Sequence, residues 1–419
     1  MKYIRHFTSV LVIVLIAVLA AGTIIERQHG SEFALVHVYA TWWFVGLWAV
    51  LAGLLVYMEA KCRMWKRWTV GALHLSILLI LLGALLTMLT GQHGRMKLEP
   101  NRPNSHFFIK ERGEITKEAL PFSLTLDRFE IEKYDNGKPK DYVSYLKLSD
   151  GETTTDAVIS MNHILKHKHY WFYQSDYDDK GNSILDVARD PWGIAVTYIG
   201  YALLFVSLVA LVARPSLRGL DCRASLAMTQ SENQLCPSLR GGTTKPSSNR
   251  IVTISWLSVL IVLLVVLYIR MLTHPLLPVL RSPFFSLHIS TIVTAYALLL
   301  GILVVSVIAL IRPKDKARLE RLKSLSTAML YPAVALLAIG IFIGAIWANV
   351  SWGNYWSWDP KEVWALITLL IYAAPLHEKL WKTFQKPLFF HIYGILAFLS
   401  VLITYFGVNL LLGGVHAYN

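Results

Sequence analysis

Four histidines and a run of tryptophans are the residues whose types and spacing point to chemistry. Between Trp347 and Trp364 lie five tryptophans, Trp347, Trp352, Trp356, Trp358 and Trp364, with Tyr355 among them, around an Asp359-Pro-Lys-Glu362 turn. Tryptophan and tyrosine favour the headgroup level of a membrane, which accounts for one or two such rings. Five rings set around Gly353 and Pro360 form instead a shaped aromatic platform, whose natural guest is a flat aromatic ligand. Asp359 and Glu362 stand where a helix beginning at Pro360 takes its cap and first-turn acid, and Lys361 offers a cation to acidic groups on the guest. His288, which closes Ser282-Pro-Phe-Phe-Ser-Leu-His288, and His416, in Gly413-Gly-Val-His416, bracket the same level. His74 and His391 each lie three or four residues inside an apolar run. An ionisable residue inside a membrane span marks a function by default, and two at matching depth favour a shared ligand.

The elements that must position these residues are membrane helices. The 419 residues are 55% hydrophobic and 16% charged, against about 25% charged in soluble domains. Apolar runs at 7–25, 39–59, 70–90, 193–213, 251–271, 288–311, 327–346, 362–377 and 388–410 approach the length that spans about 30 Å of hydrocarbon. The first follows Lys2 and Arg5 but has a poor cleavage site at Gly22-Thr-Ile-Ile-Glu26, and reads as a retained span. The net charge of +13 does not mark a nucleic-acid binder, because 21 of the 40 Lys and Arg fall in short segments on one face of the membrane. The expected fold is therefore an all-α polytopic membrane protein of about nine transmembrane helices, N-terminus in and C-terminus out, with an inserted extracytoplasmic β-rich domain. That domain rests on the alternation of Phe122, Leu124 and Leu126 and on turn signals at Asp135-Asn-Gly137, Asp150-Gly151 and Asp179-Lys-Gly-Asn182. His163, His167 and His169 have no partner constellation and read as a strand edge.

Trp352-Gly-Asn-Tyr-Trp-Ser-Trp-Asp-Pro-Lys-Glu362, followed by a helix ending at His377, resembles the WWD signature of haem-handling proteins in cytochrome c biogenesis. The wording is similar to the CcsA type of the system II cytochrome c synthases, with Leu369 where many relatives carry tryptophan. His74-Leu-Ser-Ile-Leu-Leu-Ile-Leu-Leu-Gly-Ala, Tyr170-Trp-Phe-Tyr-Gln-Ser-Asp-Tyr177 and Asp190-Pro-Trp-Gly193 resemble the ResB (CcsB) partner of that family. Between them, residues 215–250 are rich in Ser, Gly, Pro and Arg and repeat Pro215-Ser-Leu-Arg-Gly219 as Pro237-Ser-Leu-Arg-Gly241, the pattern of a disordered cytoplasmic linker. The expected organisation is 1–91 ResB-like helices, 92–191 outer β-rich domain, 192–214 a fourth helix, 215–250 linker and 251–419 the WWD domain.

The resemblance implies a fused holocytochrome c synthase in the bacterial cytoplasmic membrane, its site facing the periplasm. Haem b, bound without covalent attachment as the substrate, would take axial ligands from an inner pair, His74 and His391, and an outer pair, His288 and His416. Two neutral imidazoles fill both axial positions of the iron. The outer haem would lie on Trp347, Trp352, Tyr355, Trp356, Trp358 and Trp364, with His288, His416, Trp352, Trp356, Trp358 and Asp359 carrying the reaction. The partners implied are an apocytochrome c with a Cys-x-x-Cys-His motif, thiol-reducing proteins and the lipid bilayer. The chain's own cysteines, Cys62, Cys222 and Cys236, fall on the cytoplasmic side of this topology, so both reacting thiols come from the partner. A haem exporter that forms no bond shares the platform but does not need the outer domain. A quinone-linked cytochrome b is disfavoured because no span carries the paired histidines that such proteins use.

Overall fold

In the computed structural model, residues 2–111, 114–213 and 277–412 are described, together with the helical positions Val262, Val265, Val266 and Ile269. The linker 215–250, nearly all of the expected span 251–271, and His416 lie outside the described residues.

Seven helices among the described residues are long and apolar enough to cross a membrane, so this is a multi-pass membrane protein. Three precede a β-sheet domain: α1 (Lys2–His29), α2 (Trp42–Cys62) and α3 (Trp68–Thr90). One follows it, α4 (Gly193–Ala213). The C-terminal half contributes α5 (Pro283–Leu310), α6 (Lys316–Trp352) and, after the shorter α7 (Pro360–Ala373), α8 (Pro387–Leu402), which runs on as a wider helix over Ile403–Leu412. The expected span at 362–377 is α7, only 14 residues long. At 1.5 Å per residue it rises about 21 Å, and Pro375 turns its end into a tighter coil through His377.

The all-α assignment is overturned by the region between α3 and α4. Strands β1 (Gln92–Leu98), β2 (Pro103–Glu111), β3 (Glu114–Lys133), β4 (Pro139–Asp150), β5 (Thr153–Ile159), β6 (Leu165–His167), β7 (Tyr170–Tyr177) and β8 (Ser183–Arg189) form one antiparallel sheet, in the order β5-β4-β3-β2-β1-β8-β7-β6. The sheet has a core of its own, built from Met96, Leu98, Phe107, Leu124, Leu126, Phe172 and Leu185. The physical reason is the period: side chains of β3 alternate buried and exposed along Leu120, Phe122, Leu124 and Leu126, which only a pleated strand accomplishes. The protein is a mixed α and β molecule, not a helical one with a decoration.

Strands β1 and β8 lie side by side from Gln92–Arg189 to Leu98–Ser183, so the sheet is entered and left at one place. Below it α3 and α4 approach closely. A Cβ on Gly83 would stand 2.1 Å from Thr197 Oγ1, and one on Gly193 would stand 2.0 Å from Thr87 Oγ1. Small residues at such crossings let membrane helices pack backbone to backbone. This junction supports the site described next.

Candidate functional site

The segment between α6 and α7 is fixed at both ends. At the first, Gly353 ends α6 at φ 84° and its N–H returns to Asn349 O at 3.2 Å, a left-handed cap that favours glycine. A Cβ there would also stand 2.9 Å from the Tyr173 ring of β7. Asn349 is buried, donates to Gly353 O and accepts from Tyr198 Oη at 2.7 Å. Burial between the sheet and these helix ends holds the Tyr173 phenol well above its usual range, and so protonated. At the second end, Asp359 Oδ1 accepts from Lys361 N at 2.9 Å while Pro360 takes the first helical position. Glu362 reaches back to accept from Ser357 N at 2.8 Å. Lys361 Nζ donates to Asn409 of the last helix at 2.9 Å.

The five tryptophans separate into groups. Trp347 is buried and donates from Nε1 to Val279 O at 3.2 Å; Trp352 meets it edge-on at 5.0 Å. The His288 ring lies 19° from parallel to Trp347 at 6.4 Å. It fits there because α6 presents glycine: a Cβ on Gly344 would fall 2.6 Å from His288 Nδ1, which instead bonds Gly340 O at 2.8 Å. A carbonyl only accepts, so Nδ1 carries the proton and the lone pair of the neutral ring is on Nε2. Trp358 has φ 61° and stacks on Tyr39 at 4.8 Å, with Phe44 edge-on at 5.1 Å. Trp364 donates to Thr23 of α1 at 3.2 Å. These two rings face the N-terminal helices. Between the groups, Trp356 meets Trp358 edge-on at 5.9 Å, and its buried indole N–H has no acceptor among the described residues. Tyr355 donates to Thr87 Oγ1 at 2.7 Å, and Thr87 donates to Asp190, whose other oxygen takes Gly193 N. The tip of the WWD stretch is thus bonded to the junction between the sheet and the first half.

The deep histidines divide differently from the expected pairing. The ring that faces His74 is His377, 6.3 Å away between centroids and inclined by 62°. Each ties Nδ1 to a carbonyl one turn earlier in its own chain, His74 to Val70 O and His377 to Ala373 O, both at 2.9 Å. Both therefore turn the lone pair to Nε2. Two imidazole nitrogens about 2 Å from one metal lie about 4 Å apart, which sets the ring centres about 6 Å apart. The observed centroid spacing is of that size. His391 is fully buried elsewhere, with Nδ1 at 3.2 Å from Ser306 Oγ and Nε2 at 3.4 Å from Leu319 O. The signal for His377 was in the sequence, at the end of the WWD helix, but the turn at Pro375 hid that its ring comes beside His74.

Comparison with known proteins supplies the remaining observation. Residues 53–190 match the ResB-like family, and residues 233–416 match the cytochrome C assembly protein family. The chain fuses a ResB-like region to a cytochrome c assembly region. It is 40% identical over 152 residues to Protein NrfI of Wolinella succinogenes, covering 34% of this chain and 17% of that one. It is 39% identical over 154 residues to the cytochrome c biogenesis protein CcsA of Chlamydomonas reinhardtii, and 36% identical over 173 residues to that of Guillardia theta. Each of those matches covers 34% of this chain, and 43% and 56% of the relatives respectively, so the chain spans less than two thirds of these relatives. The cytochrome c assembly region holds His288, the WWD stretch, His377 and His391; the ResB-like region holds His74 and the sheet. Tyr39 and Thr23, which touch Trp358 and Trp364, precede both matched regions.

Proposed function

We propose that this chain is a cytochrome c synthase that binds haem and presents it, at the WWD stretch, to an apocytochrome c carrying a Cys-x-x-Cys-His motif. The observation that carries the reading is a pair of imidazole positions separated by the length of α7. His288 lies at the tryptophan end beside the sheet, and His74 with His377 lies at the other end. The spacing and tautomers of His74 and His377 support an inner haem site. His288, the tryptophans and His416 form the outer one, on the periplasmic side of a bacterial cytoplasmic membrane. The ResB-like part, the linker 215–250 and the WWD domain are one machine in this reading, and partner proteins keep the substrate thiols reduced.

The chemistry at the outer site adds each cysteine thiol of the apocytochrome across a haem vinyl group. A carbon–sulfur bond forms, the thiol proton passes to the neighbouring vinyl carbon, and no oxidant is consumed. This chain's residues supply position: a fixed porphyrin face beside the sheet turns a bimolecular encounter into a local one. His288 holds the iron until the histidine of the substrate motif replaces a protein ligand. Trp356 brings a buried N–H donor without an acceptor among the described residues, a group that stays costly until a ligand oxygen meets it.

Coexpression with an apocytochrome, followed by haem staining of the denatured cytochrome, tests the function. Covalent haem on the partner is the expected result. Haem bound to this chain but never attached to the partner would instead make it a delivery protein.

A further inference from the structure

Thr87 stands in the last turn of α3, and its hydroxyl makes two hydrogen bonds of opposite sense. It donates to Asp190 Oδ2 and accepts from Tyr355 Oη at 2.7 Å. Asp190 is buried where β8 passes into α4, and its Oδ1 accepts from Gly193 N at 2.7 Å and Trp192 N at 3.3 Å. A hydroxyl has one proton, and that of Thr87 goes to the carboxylate, so toward Tyr355 the oxygen can only accept. Burial holds the Tyr355 phenol above its usual range, and so it keeps the proton it donates. The sense of the chain is fixed, from Tyr355 through Thr87 to Asp190. Gly193 leaves the room for it, since a Cβ there would stand 2.0 Å from Thr87 Oγ1 and 2.7 Å from Asp190 Oδ2.

Residues 354–359 belong to no helix or strand, so side-chain contacts must place the tip of the WWD stretch. We infer that Thr87 and Asp190 are positioning residues for the outer haem, holding Tyr355 and with it the adjoining Trp356; this rests on the reading of the WWD stretch as the outer site. Both positioning residues lie in the ResB-like region, whereas Tyr355 and Trp356 lie in the cytochrome c assembly region. Tyr355 packs with Ile194, Tyr201 and Ala345, and Trp356 lies against the same cluster. The first half of the chain therefore sets where the platform of the second half stands. A misplacement of about 1 Å costs up to about 100-fold where reacting groups must be aligned. Losing the tie should thus harm attachment more than binding.

The test uses the full chain coexpressed with an apocytochrome, and outer haem is the haem lost when His288→Ala is added to each variant. In Thr87→Val, which keeps the shape but not the hydroxyl, outer haem should be held roughly two- to tenfold less tightly against a competing apo-haemoprotein. Holocytochrome yield should fall further, and the inner haem should be unchanged. Tyr355→Phe should do the same. Because both substitutions break one bond, the double variant should be no worse than Thr87→Val alone, and Thr87→Ser should restore near wild-type yield. Losses that add in the double variant, or a Thr87→Ser as poor as Thr87→Val, would overturn the inference. Wild-type outer haem and yield in Thr87→Val, while His288→Ala loses both, would overturn it and leave the outer-site reading standing. Full yield in His288→Ala would overturn that reading, and this inference with it. If Thr87→Val does not accumulate, Tyr355→Phe decides: unchanged outer haem and yield there overturn the role of Thr87 and Asp190.

Discussion

Tyr39 lies flat on Trp358, the ring planes 7° from parallel and the centroids 4.8 Å apart. One ring comes from the short helical segment Leu35–Tyr39 between α1 and α2, ahead of both matched family regions, and the other from the centre of the WWD stretch. Trp358 needs the support, since φ 61° is a backbone state that costs a non-glycine residue energy. One face of this tryptophan is therefore committed to the protein.

The first prediction follows from that stack. Tyr39→Ala should weaken haem at the outer site roughly two- to tenfold, the equivalent of an aromatic pair worth about 0.5–1.5 kcal/mol, and leave the inner haem in place. Tyr39→Phe should behave as wild type, because the hydroxyl has no partner among the described residues. Haem spectra of the purified variants decide it; equal loading in Tyr39→Ala and wild type would remove Tyr39 from the site.

A second prediction concerns the glycine beneath the outer histidine. In Gly344→Val the new side chain occupies the space of the His288 ring. Outer-site haem and holocytochrome yield should both fall to background while the protein still accumulates and carries its inner haem. Normal yield from this variant would mean that His288 is not a ligand.

The deep histidines give a third. His74→Ala and His377→Ala should each abolish the inner haem signal. His391→Ala should keep that signal and lower stability instead, by about 1–3 kcal/mol for a buried polar partner left unpaired at Ser306. Thermal unfolding and haem spectra on the same preparations separate the outcomes, and loss of inner haem in His391→Ala with unchanged stability would restore the pairing of His74 with His391.

The β-sheet gives a fourth, in pH. Lys97 and Asn182 hold the Asp178 carboxyl well below the usual carboxylate range. A group depressed in the folded state contributes stability above its unfolded pKa of about 4 and loses it as pH falls through the folded value. Proteolysis at the β7–β8 turn should therefore accelerate as pH drops below about 4. Asp178→Asn should flatten that dependence; an identical acid profile in the variant would assign the transition to other groups.

The sequence carried the parts of this arrangement that depend on neighbours in the chain. Asp359-Pro360 announces a capped helix, and Asp135-Asn-Gly137 a hairpin, because cap and turn chemistry act over a few residues. What it did not carry depends on which helices touch. His74 and His391 match in depth along their spans, but depth along an axis says nothing about the face presented or the neighbour chosen. The turn at Pro375 brings His377 to the place that depth alone assigned to His391. The pairing order of the strands was obscured for a related reason: β1 and β8 pair across the whole insertion, and no local pattern encodes that partnership.

The bond from Trp364 to Thr23 joins residues 341 positions apart. During synthesis α1 is made long before α7, and its contact surface for α7 stays uncovered until α7 follows. A nascent chain of this kind is vulnerable for most of its translation time, and only the last helices quiet it. Two halves produced as separate polypeptides would each expose one side of that same contact, and should find one another in the bilayer. The face of α1 that meets α7 is thus the part of that helix completed late.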